Sequence, residues 1–388
     1  MTRLGQSALR LLFPFIATLL FTTAASAIPQ TFVSSFGNNA NTCERSAPCS
    51  TFAGALAKTN ANGEVSVLDS GEYGGFSINK AIRITAVGVY AGISSEIYIS
   101  VPETEVTVLR GLTIAGRGES EVAGINHFGR GFLLIEDCTI SGWGDSGIWV
   151  HNAGRLSVKD TSIRNNRYYG IYINPGWTPT SPFGSGTVIA LIDHCQIEQN
   201  GTGLVFITLN SAFVKATIRD SVISNNNGPG CAASSLAEEG GSPATEVNIF
   251  NSEAVNNSGA GFQISGAGAK LNARHSLSSN NGGAGFSAAG GGVLSATDCT
   301  AANNSIGMLS SQSGVLSVKG CQLVNNRNYG VNVSDGAVAL VSATMAAGNQ
   351  FGLRNDPSSP GTLKSFGNNR VNGNTTNTAG TVTTVSQM

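Results

Sequence analysis

Between residues 136 and 353 the chain keeps rewriting one short line. An anchor of Cys, Ser or Thr is followed, in every copy but the first, five places later by Asn, and three or four places after that by Gly. The anchors are Cys138, Thr161, Cys195, Ser221, Ser252, Ser276, Cys299, Cys321 and Thr344. They stand 23, 34, 26, 31, 24, 23, 22 and 23 residues apart. Two copies are nearly the same text: "LSVKDTSIRNNRYYGIYI" at 156–173 and "LSVKGCQLVNNRNYGVNV" at 316–333. A fixed period of this length means a stack of equal units, each burying its apolar side against its neighbours.

The period also sets the content of each unit. Runs such as "LSVK", "GIYI" and "VNIF" alternate in period two, which is the strand period. No unit contains a helix-length amphipathic stretch. Three short strands and tight turns fill about 23 residues, so each unit is one coil of a right-handed parallel β-helix, an all-β solenoid of about twelve coils. A leucine-rich repeat has a similar period, but its Leu-x-x-Leu-x-Leu skeleton is missing. Equivalent residues of successive coils then lie about 4.8 Å apart. The column Asn166, Asn200, Asn226, Asn257, Asn281, Asn304 and Asn326 becomes a ladder of stacked amides. The Gly column marks places with positive φ or no room for Cβ. Cys138, Cys195, Cys299 and Cys321 become small inward packing groups, with no metal site among them. The two long steps carry Pro/Gly/Ser-rich insertions, "PGWTPTSPFGSG" and "LAEEGGSPA", which hang off the stack as loops.

The ends differ from the middle. Residues 1–27 combine Arg3 and Arg10 with an apolar run, "LLFPFIATLLF", and a small-residue site ending at Ala27. That is the pattern of a secretory signal peptide cleaved after Ala27, giving a secreted or periplasmic protein. The run is too short to span a bilayer, so no membrane span is expected after cleavage. Residues 28–63 are expected to hold a small disulfide loop, Cys43–Cys49, and a short helix over 50–59. Its face of Phe52, Ala55 and Leu56 would plug the end of the stack. Residues 64–370 are the β-helix, and 371–388 a polar tail.

The entry segment at 31–71 and the run of coils at 136–353 resemble the secreted bacterial right-handed parallel β-helix proteins of the pectate-lyase-like superfamily. The resemblance implies the fold across most of the chain. It implies less about chemistry, because this architecture carries lyases, hydrolases, epimerases and proteins without catalysis. Only "LIDHC" at 191–195 is similar to an element of pectate lyases, and Asp193 and His194 stand at ordinary repeat positions. The paired carboxylates of a glycosidase are not apparent. No cofactor or metal is expected.

With 22 Lys and Arg against 23 Asp and Glu, net charge gives no case for nucleic acid. What does stand out is aromatic. All three Trp (Trp143, Trp149, Trp177) lie within 143–177, together with Tyr168 and Tyr172. Trp149 and Tyr172 hold the same place in adjacent coils, with parity that points them outward. An aromatic strip beside a projecting loop is a platform for stacking sugars. The sequence therefore reads as a monomeric, secreted polysaccharide-binding or polysaccharide-processing rod. The alternatives are a non-catalytic structural or adhesive rod, and a lyase or epimerase whose site draws on Arg155, Arg164, Arg167 or His151.

Overall fold

The computed structural model describes residues 28–118, 122–175, 186–209, 211–236 and 244–386. These residues form a parallel solenoid with almost no helix. Three parallel sheets run its length, one of 15 strands and two of 13. The chain visits them in turn. A typical coil crosses the first sheet in Gly154–Lys159, the second in Ser162–Arg164 and the third in Tyr169–Ile173, then returns to the first. Along the strands the inward parity is mostly Ile, Val, Leu or Ala, with Phe206, Phe262, Phe286 and Met308 among them, and these side chains make one continuous core.

The corners hold the stack in register. At the second-to-third-sheet corner Asn166 Nδ2 donates to Asn200 Oδ1 at 2.9 Å. The same bond links Asn200, Asn226, Asn257, Asn281, Asn304 and Asn326, and continues to Asn349 and Asn374. Each amide oxygen also accepts a backbone N–H from the coil before it, so these buried amides are satisfied. The Gly column answers to crowding, not to φ. A Cβ on Gly170 would sit 2.5 Å from the Gly203 carbonyl and 3.1 Å from the Asn200 amide. At the first-to-second-sheet corner one residue per coil takes the left-handed conformation, among them Asp137, Asp160, His194 and Asp220. The anchor hydroxyls bond across coils there, as Ser221 Oγ accepts from Cys195 N at 3.1 Å. All five cysteines outside the disulfide are buried and unbridged, Cys231 included. Burial pushes the Cys138 and Cys231 thiols up to about 12, which makes them inert packing groups.

The N-terminal edge is closed by its own construction. A disulfide joins Cys43 and Cys49, whose Cα atoms are 4.7 Å apart. The helix Phe52–Leu56 buries Phe52, Ala55 and Leu56, with Thr51 Oγ1 accepting from Gly54 N as its N-cap. Lys80 Nζ donates to the carbonyls of Leu56 and Thr59 at the other end of the helix. The solenoid is longer than the sequence suggested at both ends. Ile28–Val33 is already a strand of the first sheet. The expected polar tail also adds strands, Thr376–Ala379 and Val382–Thr384, one to each of two sheets. Asn374 takes a ladder position in this coil. Its composition is polar because a terminal coil buries only one of its sides.

Candidate functional site: an aromatic strip on the third sheet

The outward column of the third sheet places Tyr98, Asn126, Trp149 and Tyr172 in register on four successive coils. A second outward column, two residues further on, contributes Phe128 and His151. The rings touch in sequence. Tyr98 and Phe128 stack with centroids 6.3 Å apart, and Phe128 and His151 at 4.1 Å. His151 stacks on Trp149 at 4.1 Å, and Trp149 lies against Tyr172 at 5.3 Å. Tyr172 meets Tyr169 at 4.8 Å, and Tyr169 meets Tyr168 at 6.3 Å. Seven rings thus run along the rod axis for about three strand spacings, roughly 14 Å.

The strip is half sunk into the surface. Tyr98, Phe128 and Tyr168 are exposed, Trp149, Tyr169 and Tyr172 half-buried, and His151 buried. Polar groups hold the rings in place. Asn174 Nδ2 donates to the Tyr172 hydroxyl at 2.9 Å, and His151 Nε2 donates to Asn126 Oδ1 at 3.1 Å. The Arg167 guanidinium lies 5.2 Å from the centre of the Tyr168 ring. Burial, with a smaller contribution from the nearby His127, lowers His151 to about 4. It is therefore a neutral spacer between Phe128 and Trp149 at ordinary pH. Burial also raises Tyr172 and Tyr169, so their hydroxyls stay protonated as hydrogen-bond donors.

Trp143 does not belong to the strip. It is buried, and its Nε1 donates to the Ile114 carbonyl at 3.3 Å. The cause is its place in the repeat: five residues after Cys138 it occupies the ladder position that Asn fills in later coils. Its backbone N–H accordingly donates to Asn166 Oδ1 at 3.1 Å. Trp177 lies outside the described residues. Tyr98 and Phe128 were not singled out in the sequence, and His151 was named there only for an atypical lyase site. Phe128 aligns with His151 and shares the outward parity of Trp149, a signal hidden because the coils before 136 lack the repeated line.

Other candidates fall elsewhere. Asp193, His194 and Asp220 bring ligand atoms within 4.8 Å of one another at the first-sheet corner. Arg219, however, donates to both Asp193 oxygens, at 2.8 and 2.7 Å, and His194 Nδ1 donates to one of them at 2.7 Å. The guanidinium holds Asp193 below the usual carboxylate range and already engages both of its oxygens. Arg155 lines a groove of about 790 Å³ with Glu103, Arg130, Phe132 and Ile189, at the start of the first sheet. Arg164 ends the second-sheet strand Ser162–Arg164 and Arg167 packs on Tyr168 at the end of the strip, so the residues named for an atypical lyase are spread over three faces.

A family model described as the right handed beta helix region matches residues 99–292, half of the chain. The chain belongs to this family. Among solved structures the β-helix is similar to the A-module of the Azotobacter vinelandii mannuronan C-5 epimerase AlgE6. The identity is 13%, the match covers 84% of this chain and 91% of that one, and the TM-score is 0.51. The A-module of the epimerase AlgE4 from the same organism gives 12% identity, 83% and 91% coverage and a TM-score of 0.50. The pectate lyase Pel9A gives 18% identity, 82% and 77% coverage and a TM-score of 0.46. At such identities the likeness is one of fold. No curated protein matches the sequence.

Proposed function

We propose that this β-helix is an extracellular protein that binds a polysaccharide along its outer face, through the aromatic strip. The observation that carries this reading is the unbroken contact of rings from Tyr98 to Tyr168. Sugars stack their C–H faces on such rings, and the strip follows the rod axis, the direction in which a linear polymer can extend. Exposed aromatic surface on a rigid scaffold is what a recognition site uses. The names of the two epimerases make polysaccharide association a reasonable use of the fold. The disulfide suits an oxidising compartment, and the first 27 residues read as a secretory signal. No helix of the described residues is long and apolar enough to cross a membrane.

Affinity electrophoresis in gels containing neutral or acidic polysaccharides tests the reading. Retardation by at least one polymer is expected, lost in Trp149→Ala and Tyr172→Ala with the fold retained by circular dichroism. Retardation that survives both substitutions removes the strip from the interface. Release of unsaturated products would add processing to binding, the second reading, for which the groove containing Glu103, Arg130 and Arg155 supplies charged groups.

A further inference from the structure

The outer face of the first sheet carries a second regularity, one of charge. Eleven consecutive strands run from Val106–Arg110 to Thr362–Ser365. Lys and Arg occur on every second one. The strands ending in Arg110, Lys159 and Arg219 carry them, as do those ending in Arg274 and Lys319, and Thr362–Ser365 carries Lys364. Three of these strands hold a pair: Arg155 with Lys159, Lys215 with Arg219, Lys270 with Arg274. The five strands between them hold no cation at all. Register aligns the charges. Lys159, Arg219, Arg274 and Lys319 share one outward column, separated by Asp193, Phe250 and Thr297. The rungs are therefore about 9.6 Å apart, two strand spacings.

Cross-strand pairing accounts for part of this pattern. Arg219 is bonded to Asp193, and Lys215 lies 4.0 Å from Glu246. It does not account for the C-terminal half. The strands Val293–Thr297 and Val338–Ser342 contain no acid, yet the alternation continues across them. Lys270, Arg274 and Lys319 have no ion pair among the described residues, and neither has Arg155. Asp298 stands at the neighbouring corner, 3.8 Å from His275. Arg110 and Lys159 also have acids beside them, Asp137 and Asp160, so what remains unpaired is Lys270 with Arg274 on one strand and Lys319 two strands on, with Arg155 apart from them.

From this register we infer that the first sheet is a binding face for an acidic polysaccharide with one anionic group per disaccharide. The inference rests on the polysaccharide reading above and adds the class of polymer. Each sugar of an extended glycan advances by close to one strand spacing, so a two-sugar repeat keeps step with the rungs. A polymer charged on every sugar sets half of its anions over the strands without cations, three of which carry an acid: Glu136, Asp193 and Glu246. Mismatched like charges weaken and unspecify such contacts, while matched ones steer and orient the chain.

The test compares three polymers against the mature protein at low salt: hyaluronan, with one carboxylate per disaccharide; polygalacturonate, with one per sugar; and a neutral β-glucan. At equal carboxylate concentration hyaluronan is expected to bind at least about fivefold more tightly than polygalacturonate, with the advantage shrinking as salt rises. The double substitution Lys270→Gln with Arg274→Gln weakens hyaluronan about fivefold, at the scale of two exposed charge contacts. Thr297→Lys fills an empty strand and moves the preference towards polygalacturonate. Equal or tighter binding of polygalacturonate by the unaltered protein overturns the inference. Binding of the glucan without preference for hyaluronan overturns it while leaving the aromatic strip in place. Binding of none of the three overturns the inference, and the polysaccharide reading is then decided separately by the gel series with Trp149→Ala and Tyr172→Ala.

Discussion

The coils at 154–173 and 315–333 are close in sequence and close in backbone, yet they present different surfaces. Both supply a strand to each sheet, both place an Asn in the ladder (Asn166 and Asn326), and both need Gly under the next coil (Gly170 and Gly330). Outside, they part. Tyr168 is exposed where Asn328 donates to Ser305 Oγ at 3.2 Å. Tyr172 lies against Trp149 where Asn332 Oδ1 accepts from Arg354 at 2.8 Å. His151, wedged between two rings in the coil before, corresponds to Ser311. The stack dictates the inward and corner letters in both places. The outward letters are free, and in one place they are spent on a run of rings, in the other on the polar bonds of Asn328 and Asn332 beside a single ring pair, Tyr329 and Phe351.

The shared letters give the largest expected effect. Asn200 makes amide bonds to Asn226 and to the Ile163 carbonyl while accepting from Asn166. Asn200→Ala and Asn326→Ala should each cost about 3 kcal/mol in urea unfolding, because buried partners on two coils lose their bonds. Similar losses in both coils would show that the ladder treats them alike. A much smaller loss in one would break the equivalence.

The coil before 154–173, whose rings continue the strip, should also be the pH-sensitive one. His151 has a folded value of about 4 against an ordinary 6.5, and burial lowers His127 as well. Between those values the unfolded chain binds more protons, so stability is complete above pH 6.5 and declines as pH falls towards 4. The His151 share is about 2 kcal/mol between pH 7 and pH 5. Urea midpoints at the two pH values should converge in His151→Gln by that amount, and stay unchanged in Ser311→Gln.

Surface exchanges come next in size. Tyr172→Asn writes the second coil's letter into the first and should weaken polysaccharide retardation about fivefold, the worth of one ring contact, with little change in stability. Tyr168→Asn, at the strip's exposed end, should weaken it about twofold by the same measurement. If Tyr168→Asn costs more than Tyr172→Asn, the contact is centred on the end of the strip.

The comparison also explains what could be read from the sequence. Coil period, sheet parity and the Asn column were legible because each is repeated many times, so every copy reinforces the others. The outward placement of Trp149 and Tyr172 followed from the same parity. Trp143 was misjudged for a related reason: it fills a ladder slot once, and a single exception looks like surface until the column is seen. Tyr98 and Phe128 were missed because their coils lack the anchor–Asn–Gly line that reveals register. The final coil was hidden by its polarity, since residues with one covered side carry few apolar groups.

The closed N-terminal edge has a consequence for how the rod assembles. Strand Ile28–Val33, the disulfide loop and the plugging helix satisfy one edge with local contacts, Phe32 N bonding to the Cys43 carbonyl and Ser34 N to that of Cys49. Every later coil bonds chiefly to the coil before and the coil after. The cap thus offers a finished row of strand hydrogen bonds against which the next turn of chain is paired, while the interior coils rest on their neighbours alone.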